Sequence, residues 1–199
     1  QPVEQELLRD LVERSGRAPS GGNLQPWRIY TVHGDAMARF RSFIADRSAT
    51  GGAYDVYPPD LWEPYRTNRF RVGEQMYAPI GIGRDDREGR LRQFARNQDF
   101  FGAPAALFCF IDRRLGQPQW SDLGMFLQTF MLLACEAGLD TCPQEFWSTH
   151  DGNVREFVGA PDDDLLFCGM AVGHADPDAP INTLETERMP LDDWATFLT

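Results

Sequence analysis

Residues 18–27 read A-P-S-G-G-N-L-Q-P-W and separate two different patterns of hydrophobic residues. Ahead of this stretch, residues 2–15 place apolar side chains at helical spacing, which predicts an amphipathic helix. After it, Trp27–Val32 is rich in aromatic and β-branched residues, which predicts a strand. The prolines and paired glycines between them are typical of a loop. The stretch is therefore predicted to connect a helix to a strand.

Polar groups in this loop are suited to contact a flat ligand. The hydroxyl of Ser20 and the amides of Asn23 and Gln25 offer hydrogen bonds, and the two glycines allow a ligand to approach the backbone closely. On these features alone, an ordinary turn with Trp27 in the core is the favoured interpretation, because serine, glycine and asparagine are common in turns.

Hydrophobic patterns define the remaining elements. We expect a helix opening at Asp35, two arginine-rich helices near 65–78 and 84–97, a strand covered on both faces at 105–111, a long helix over 121–137 and a last strand at 165–173. Residues 46–98 are predicted to form an inserted helical flap, and 174–199 an irregular tail. A single domain over 1–199 fits this length.

The long helix over 121–137 is apolar around more of its circumference than one small domain needs. Leu132 and Leu133 extend the apolar surface beyond the main face of this helix. We therefore expect the helix to be central or to lie at an interface, and the protein to be a homodimer.

Charge composition excludes several classes of function. The formal net charge is −11, which argues against a nucleic-acid partner. All 19 basic residues are arginines, so a lysine Schiff base or lysine nucleophile is excluded. No segment is apolar and long enough for a membrane span, and the first residues do not resemble a signal peptide. We expect a cytoplasmic protein without a membrane partner.

Familiar catalytic and metal-binding motifs do not occur in the sequence. The cysteines at 109, 135, 142 and 168 have no C-x-x-C spacing and are predicted to be buried free thiols, without a metal role. The histidines at 33, 150 and 174 are predicted to be structural or solvated. No side chain is predicted to be catalytic, which suggests that a cofactor carries the chemistry.

Five separated stretches resemble one known family. Residues 18–27 are similar to the A-P-S-x-x-N-x-Q-P-W signature of the nitroreductase family, and residues 100–105 resemble its aromatic-x-x-A-P step into a strand. Residues 138–143 resemble its G-L-x-T-C-P turn, and 169–173 with 186–191 resemble its closing strand and R-x-P-L tail. The inserted flap makes the sequence most similar to the nitrobenzoate-reductase-like branch.

This resemblance implies an α+β fold with a central mixed or antiparallel sheet surrounded by helices. It implies an intertwined homodimer with FMN between the subunits and a C-terminal tail that swaps across the dimer. The implied activity is reduction of nitroaromatics, quinones or related electron-poor small molecules by ping-pong hydride transfer, with NADH or NADPH as electron donor.

The resemblance also assigns candidate site residues. The 18–27 loop would line one side of the flavin, the segment after the G-L-x-T-C-P turn its other edge, and a tail arginine its phosphate. Arg96 or Asn97 would approach the pyrimidine end of the ring, and two flap arginines would contact the substrate or the nicotinamide dinucleotide. The implied cofactor-binding residues are Pro19, Ser20, Gly21, Asn23, Gln25, Asn97, Pro143, Gln144, Glu145 and Arg188, and the substrate-binding residues are Arg66 and Arg69.

The sequence departs from the family pattern in its phosphate ligands. The family's R-x-S-x-R segment has no counterpart in these residues, and a lysine of some branches corresponds to Thr186 here. We therefore expect either weakened binding of the FMN phosphate or a leading segment that precedes these residues. Alternative functions are flavin binding or trafficking without catalysis, and a specialised activity such as reductive dehalogenation or flavin fragmentation.

Overall fold

The computed structural model describes residues 1–198, which form six α-helices and four β-strands. The helices are α1 (Gln5–Ser15), α2 (Gly34–Ile44), α3 (Tyr65–Tyr77), α4 (Arg87–Ala95), α5 (Gln117–Glu136) and α6 (Asp151–Val158). The strands are β1 (Arg28–His33), β2 (Ala105–Asp112), β3 (Asp140–Gln144) and β4 (Asp164–Gly173). This composition confirms the expected α+β class.

The four strands form one sheet in the order β1-β2-β4-β3, and every neighbouring pair is antiparallel. Of the two arrangements expected, mixed or antiparallel, the described chain therefore forms the antiparallel one. Leu107 of β2 lies between Thr31 of β1 and Met170 of β4, and Met170 is paired on its other side with Pro143 of β3. β1 and β3 are the two edge strands.

The central strand β2 is buried on both of its faces, as its continuous apolar sequence predicts. Alternate residues such as Leu107 and Ile111 pack in a cluster with α1 and α5. The residues between them, including Phe108, pack with Phe40 of α2 and with Trp147. Because strand side chains alternate between faces, β2 serves as the centre of both hydrophobic layers.

Trp147 requires a glycine on the neighbouring strand. Its side chain is fully buried and stacks on Phe100 with ring centroids 4.6 Å apart. A Cβ atom on Gly169 would collide with the indole, so only glycine leaves room for it in this packing. Gly169 therefore fixes the position of the aromatic cluster beneath β3 and β4.

Two compact units divide the chain. One consists of residues 1–56 and 94–175 and contains the sheet with α1, α2, α5 and α6. The other consists of 57–93 together with the tail from Asp176 onwards and contains α3. Within this second unit, the segment Pro180–Thr183 of the tail contacts the turn Ala78–Ile80 that follows α3. The predicted flap and tail are thus packed against each other.

Several sequence-based predictions are corrected. α5 begins at Gln117, one turn earlier than expected, and residues 140–144 form a strand where only a turn was predicted. The helix α6 was not predicted. All four cysteines are free, but Cys135 and Cys142 are exposed, whereas Cys109 and Cys168 are buried. Within residues 1–198, no helix combines the length and hydrophobicity that crossing a membrane requires.

Candidate functional site

The loop between α1 and β1 has an unusual backbone. It contains a short 3-10 turn, Gly21–Asn23, in which Gly22 has φ 57°. Asn23 and Gln25 also lie in the left-handed region, with φ values of 56° and 49°. Left-handed backbone is unfavourable for residues with a side chain, and such residues cluster at functional sites.

Hydrogen bonds within the loop hold this shape. The backbone N–H of Gln25 donates to Oγ of Ser20 at 3.0 Å, and the Gln25 side-chain amide donates to the Asn23 carbonyl at 3.1 Å. The N–H of Asn23 donates to the Ser20 carbonyl at 2.9 Å. Pro19, the turn and Gln25 are exposed, so a structured surface is presented outward.

The loop is attached to α5 at two points. The backbone N–H of Gly21 donates to both carboxylate oxygens of Asp122, at 3.2 and 3.3 Å. Trp27, which is half-buried, stacks on Phe126 with ring centroids 5.2 Å apart. Asp122 was not identified from the sequence, since nothing in its surroundings indicates a partner 101 residues away.

A second group of predicted residues lies at the other side of the sheet. The side-chain amide of Gln144, at the end of β3, donates to the main-chain oxygen of Asn97 at 3.1 Å and to its Oδ1 at 2.9 Å. Gln144 is 3% exposed, and its Oε1 is buried without a hydrogen-bond donor among the described residues. The neighbouring Pro143 and Glu145 are exposed.

The segment that follows Asn97 is also left-handed. Phe100 and Phe101 have φ values of 51° and 55°, and Gly102 follows with 85°. Phe100 is fully buried in the aromatic cluster and anchors this turn, while Phe101 is half-buried beneath the Arg96 guanidinium, 5.6 Å from the ring centroid. The loop is thus left-handed at predicted site residues, whereas the second left-handed segment begins three residues after the predicted site residue Asn97.

The two groups lie at opposite edges of the sheet. The 18–27 loop leads into β1, whereas Gln144 ends β3, and both β2 and β4 lie between these strands. Neighbouring strands are about 4.8 Å apart, so three spacings separate the edges by about 14 Å. The structure brings Asn97 and Gln144 together but does not bring the loop to them.

The tail and flap residues form a groove within the second unit. The groove has a volume of about 640 Å³ and is lined by α3 and by tail residues that include Arg188. Arg188 is exposed and donates to Oγ1 of Thr186 at 2.6 Å and to two backbone carbonyls. In the part of the chain that the structure describes, the Arg188 guanidinium forms no salt bridge with a carboxylate.

The two flap arginines predicted to bind substrate do not line this groove. Arg66 forms a salt bridge with Glu63 at 2.8 Å, and Arg69 lies over the ring of Tyr57, 4.0 Å from its centroid. Arg71, which the sequence did not single out, lines the groove and lies 3.9 Å from Glu187. One feature of the sequence indicates that Arg71 could lie near the site, which is that it follows Arg69 by two residues on α3.

Several known proteins are similar in sequence to almost the whole length of this chain. A nitrobenzene nitroreductase from Ectopseudomonas oleovorans is 38% identical over 100% of this chain and 89% of its own length. A 4-nitrobenzoate reductase from Pseudomonas putida is 33% identical over 99% and 88%. An NADH dehydrogenase from Thermus thermophilus is 53% identical over 96% and 86%.

A solved structure is similar in fold as well as in sequence. The FMN and NADPH-dependent nitroreductase NfnB from Sphigopyxis sp. strain HMH is 43% identical, with a TM-score of 0.94 over 100% of this chain and 92% of that chain. The model of the Nitroreductase family matches residues 1–174, which contain the loop, the Asn97–Gln144 pair and the entire sheet. The chain therefore belongs to the nitroreductase family.

Proposed function

We propose that this protein is an FMN-dependent NAD(P)H oxidoreductase that reduces nitroaromatic compounds and related electron-poor acceptors. The observation that carries the proposal is the left-handed, exposed loop at residues 20–25, which coincides with the family's signature. Relatives named for nitrobenzene and 4-nitrobenzoate reduction support the acceptor class. One relative is named for NADPH and another for NADH, so we propose either nucleotide as the electron donor.

The residues of both groups fit a flavin. Gly22 carries no side chain and a Cβ there would meet nothing within 4 Å, so this side of the loop is open to a planar ring. The exposed amide of Asn23 and the hydroxyl of Ser20 offer hydrogen bonds to it. On the other side, the buried Oε1 of Gln144 has no donor among residues 1–198, and buried acceptors normally have one. We assign Pro19, Gly21, Gln25, Asn97, Pro143 and Glu145 to the same flavin site.

The protein's part in the reaction is positioning. When bound, FMN supplies the chemistry: it accepts a hydride from the nicotinamide and passes two electrons to the acceptor. The loop and the Gln144–Asn97 pair would hold the ring in a fixed orientation, and a fixed orientation of the reacting groups lowers the barrier without acid–base side chains. We further propose Arg188 as a phosphate ligand, because a guanidinium offers paired donors.

We also propose that the working unit is a homodimer. The loop and Gln144 lie at opposite edges of one sheet, so a second copy can supply the group that is missing at each edge. α5 carries an exposed stripe at helical spacing, including Met125, Gln128, Leu132 and Cys135. Leu132 is 62% exposed and Met125 is 37% exposed, and together they give this stripe an apolar character that favours a partner surface.

We propose that arginines of the flap contact the acceptor or the dinucleotide. Arg66 and Arg69 are on the flap, and their guanidiniums would suit an anionic acceptor such as a nitrobenzoate or the phosphates of the dinucleotide. Their present contacts, with Glu63 and with Tyr57, are exposed and weak, so they can be exchanged for a ligand.

We also propose that the enzyme is cytoplasmic, because its free thiols fit a reducing compartment.

Reconstitution tests this proposal directly. The purified chain is titrated with FMN, and the reconstituted protein is mixed with NADPH or NADH in the absence of an acceptor. We expect saturable FMN binding at one flavin per chain and bleaching of the flavin absorbance by at least one nucleotide. A protein that binds no FMN, or whose bound flavin neither nucleotide reduces, would overturn the proposal.

A further inference from the structure

Asp122 is a charged residue on the buried face of a mainly apolar helix. The other buried residues of α5 are Leu123, Phe126, Leu127, Phe130 and Ala134. Asp122 is 3% exposed, and removing a carboxylate from water is costly unless it is paired or hydrogen-bonded. A buried acid in this position therefore calls for a specific partner.

The partner is the backbone of the candidate flavin loop. Both carboxylate oxygens of Asp122 accept from the N–H of Gly21, and this contact joins α5 to the first residue of the 3-10 turn. Hydrogen bonds that end on a carboxylate are stronger than those between neutral groups. The same N–H is thereby directed inward and is not offered to a ligand, so Gly21 would serve the flavin through its missing side chain.

A second contact lies one helical turn further along α5. Residues 122 and 126 are neighbours on the same face of a helix, and Phe126 stacks on Trp27 at the end of the loop. The loop is thus held at both ends by one face of α5. Between these two points lie Asn23 and Gln25, whose left-handed backbone persists only if the surroundings hold it.

We propose that Asp122 is a positioning residue that holds the loop at residues 20–25 in the shape that binds the flavin. This inference rests on the proposed function for its link to FMN, whereas the attachment of the loop itself does not. Asp122 acts through Gly21 and touches no reacting atom. Its acceptor oxygen matters more than its volume, because the contact that it makes is a hydrogen bond to backbone.

Hydrogen exchange of the protein without FMN tests the attachment. In Asp122→Ala the Gly21 amide loses its acceptor, and we expect residues 20–25 to exchange at least about tenfold faster than in the wild type. In Asp122→Asn the amide oxygen still accepts from Gly21, so exchange should remain close to the wild-type rate. The matched control is Asp151→Ala, since Asp151 is another buried aspartate that accepts a backbone N–H, from Leu166 at 2.8 Å. It should lower thermal stability and leave exchange of the loop unchanged.

Titration with FMN tests the functional consequence. We expect Asp122→Ala to raise the dissociation constant for FMN about tenfold, and Asp122→Asn to stay within about threefold of the wild type. If Asp122→Ala does not fold, Gly21→Pro removes the donor instead, at a first-turn position that proline tolerates. It should produce faster exchange at residues 22–25, and exchange is its readout because residue 21 also belongs to the proposed flavin site.

Specific results would overturn the inference. Unchanged exchange and FMN affinity in Asp122→Ala would make Asp122 a core residue with no effect on the loop. Equal losses in Asp122→Ala and Asp122→Asn would show that the acceptor oxygen is not what holds the loop. If the wild-type protein binds no FMN, the proposed function fails, and the exchange measurement alone still decides whether Asp122 holds the loop.

Discussion

The side-chain amide of Gln144 donates hydrogen bonds to both oxygens of Asn97, at 3.1 Å to the main chain and 2.9 Å to the side chain. This pair joins the end of the edge strand β3 to the segment that precedes β2. Both residues were expected at a flavin on other grounds, and they are 47 positions apart in sequence. Their contact gives the second half of the proposed site a defined geometry.

Replacing Gln144 with glutamate should disturb this geometry without changing the size of the side chain. A carboxylate would place an acceptor against the two Asn97 oxygens in a buried position, which costs about 1–3 kcal/mol or more. We expect lower resistance to urea and weaker FMN binding. The exposed Gln117→Glu is the control and should change neither quantity. Wild-type FMN affinity in Gln144→Glu would remove Gln144 from the site.

Arg188→Ala should weaken FMN binding while leaving the fold intact. Charged hydrogen bonds to a ligand are worth about 1.5–3 kcal/mol, so the dissociation constant should rise about tenfold to a hundredfold. Within residues 1–198, the Arg188 guanidinium donates hydrogen bonds only to Thr186 and to the Glu187 carbonyl, which adds little to stability. Arg92→Ala is the matched control, because Arg92 forms an exposed pair with Glu88. An unchanged dissociation constant would place Arg188 at the surface only.

Leu132→Glu should separate the subunits. The side chain is exposed in the single chain, so the substitution should not disturb the internal core, but a buried charge in a dimer interface is costly. We expect light scattering at micromolar concentration to report a dimer for the wild type and a monomer for the variant, with loss of FMN. Leu91→Glu alters a similarly exposed leucine at 68% and should remain dimeric. A wild-type monomer that still binds FMN would contradict the dimer.

Stability should fall as the pH is lowered through about 6.5, the ordinary value for histidine. Burial lowers the pKa of His150, so the folded protein keeps this ring neutral over a range in which the unfolded chain binds a proton. The unfolded state therefore gains protons first and is favoured as the pH falls. Urea unfolding at about pH 7.5 and about pH 5.5 measures the difference. His150→Gln should reduce it, and an equal difference in both proteins would exclude His150 as its source.

The sequence predicted the elements whose patterns are strong. β2 and β4 are continuous apolar runs, and α5 repeats apolar residues at helical spacing over many turns. β3 was missed because Pro143 interrupts a short polar segment, and proline is tolerated there only because β3 is an edge strand. α6 was missed because it has only eight residues and is held by tertiary contacts, such as that of Asp151 with the Leu166 N–H.

The candidate site was predictable only in part, because some of its contacts join residues that are distant in sequence. The 18–27 loop and Gln144 carry local signals, and resemblance to a family located both. Asp122 could not be recognised, because an acidic residue in a helix is ordinarily solvated and its partner Gly21 is distant in sequence. The position of Arg71 in the groove likewise depends on how α3 and the tail pack within their unit.

Coupled turnover measures the proposed nitroreductase activity itself. The FMN-loaded protein is supplied with NADPH or NADH and with nitrobenzene or 4-nitrobenzoate, and nucleotide oxidation and loss of the nitro compound are followed together. We expect both to occur in a fixed ratio and both to require FMN, and we expect the Arg188→Ala variant to reach wild-type activity only at a higher FMN concentration. If the protein binds FMN firmly but oxidises neither nucleotide in the presence of either acceptor, the proposed function is contradicted. The protein would then be a flavin-binding protein without this activity.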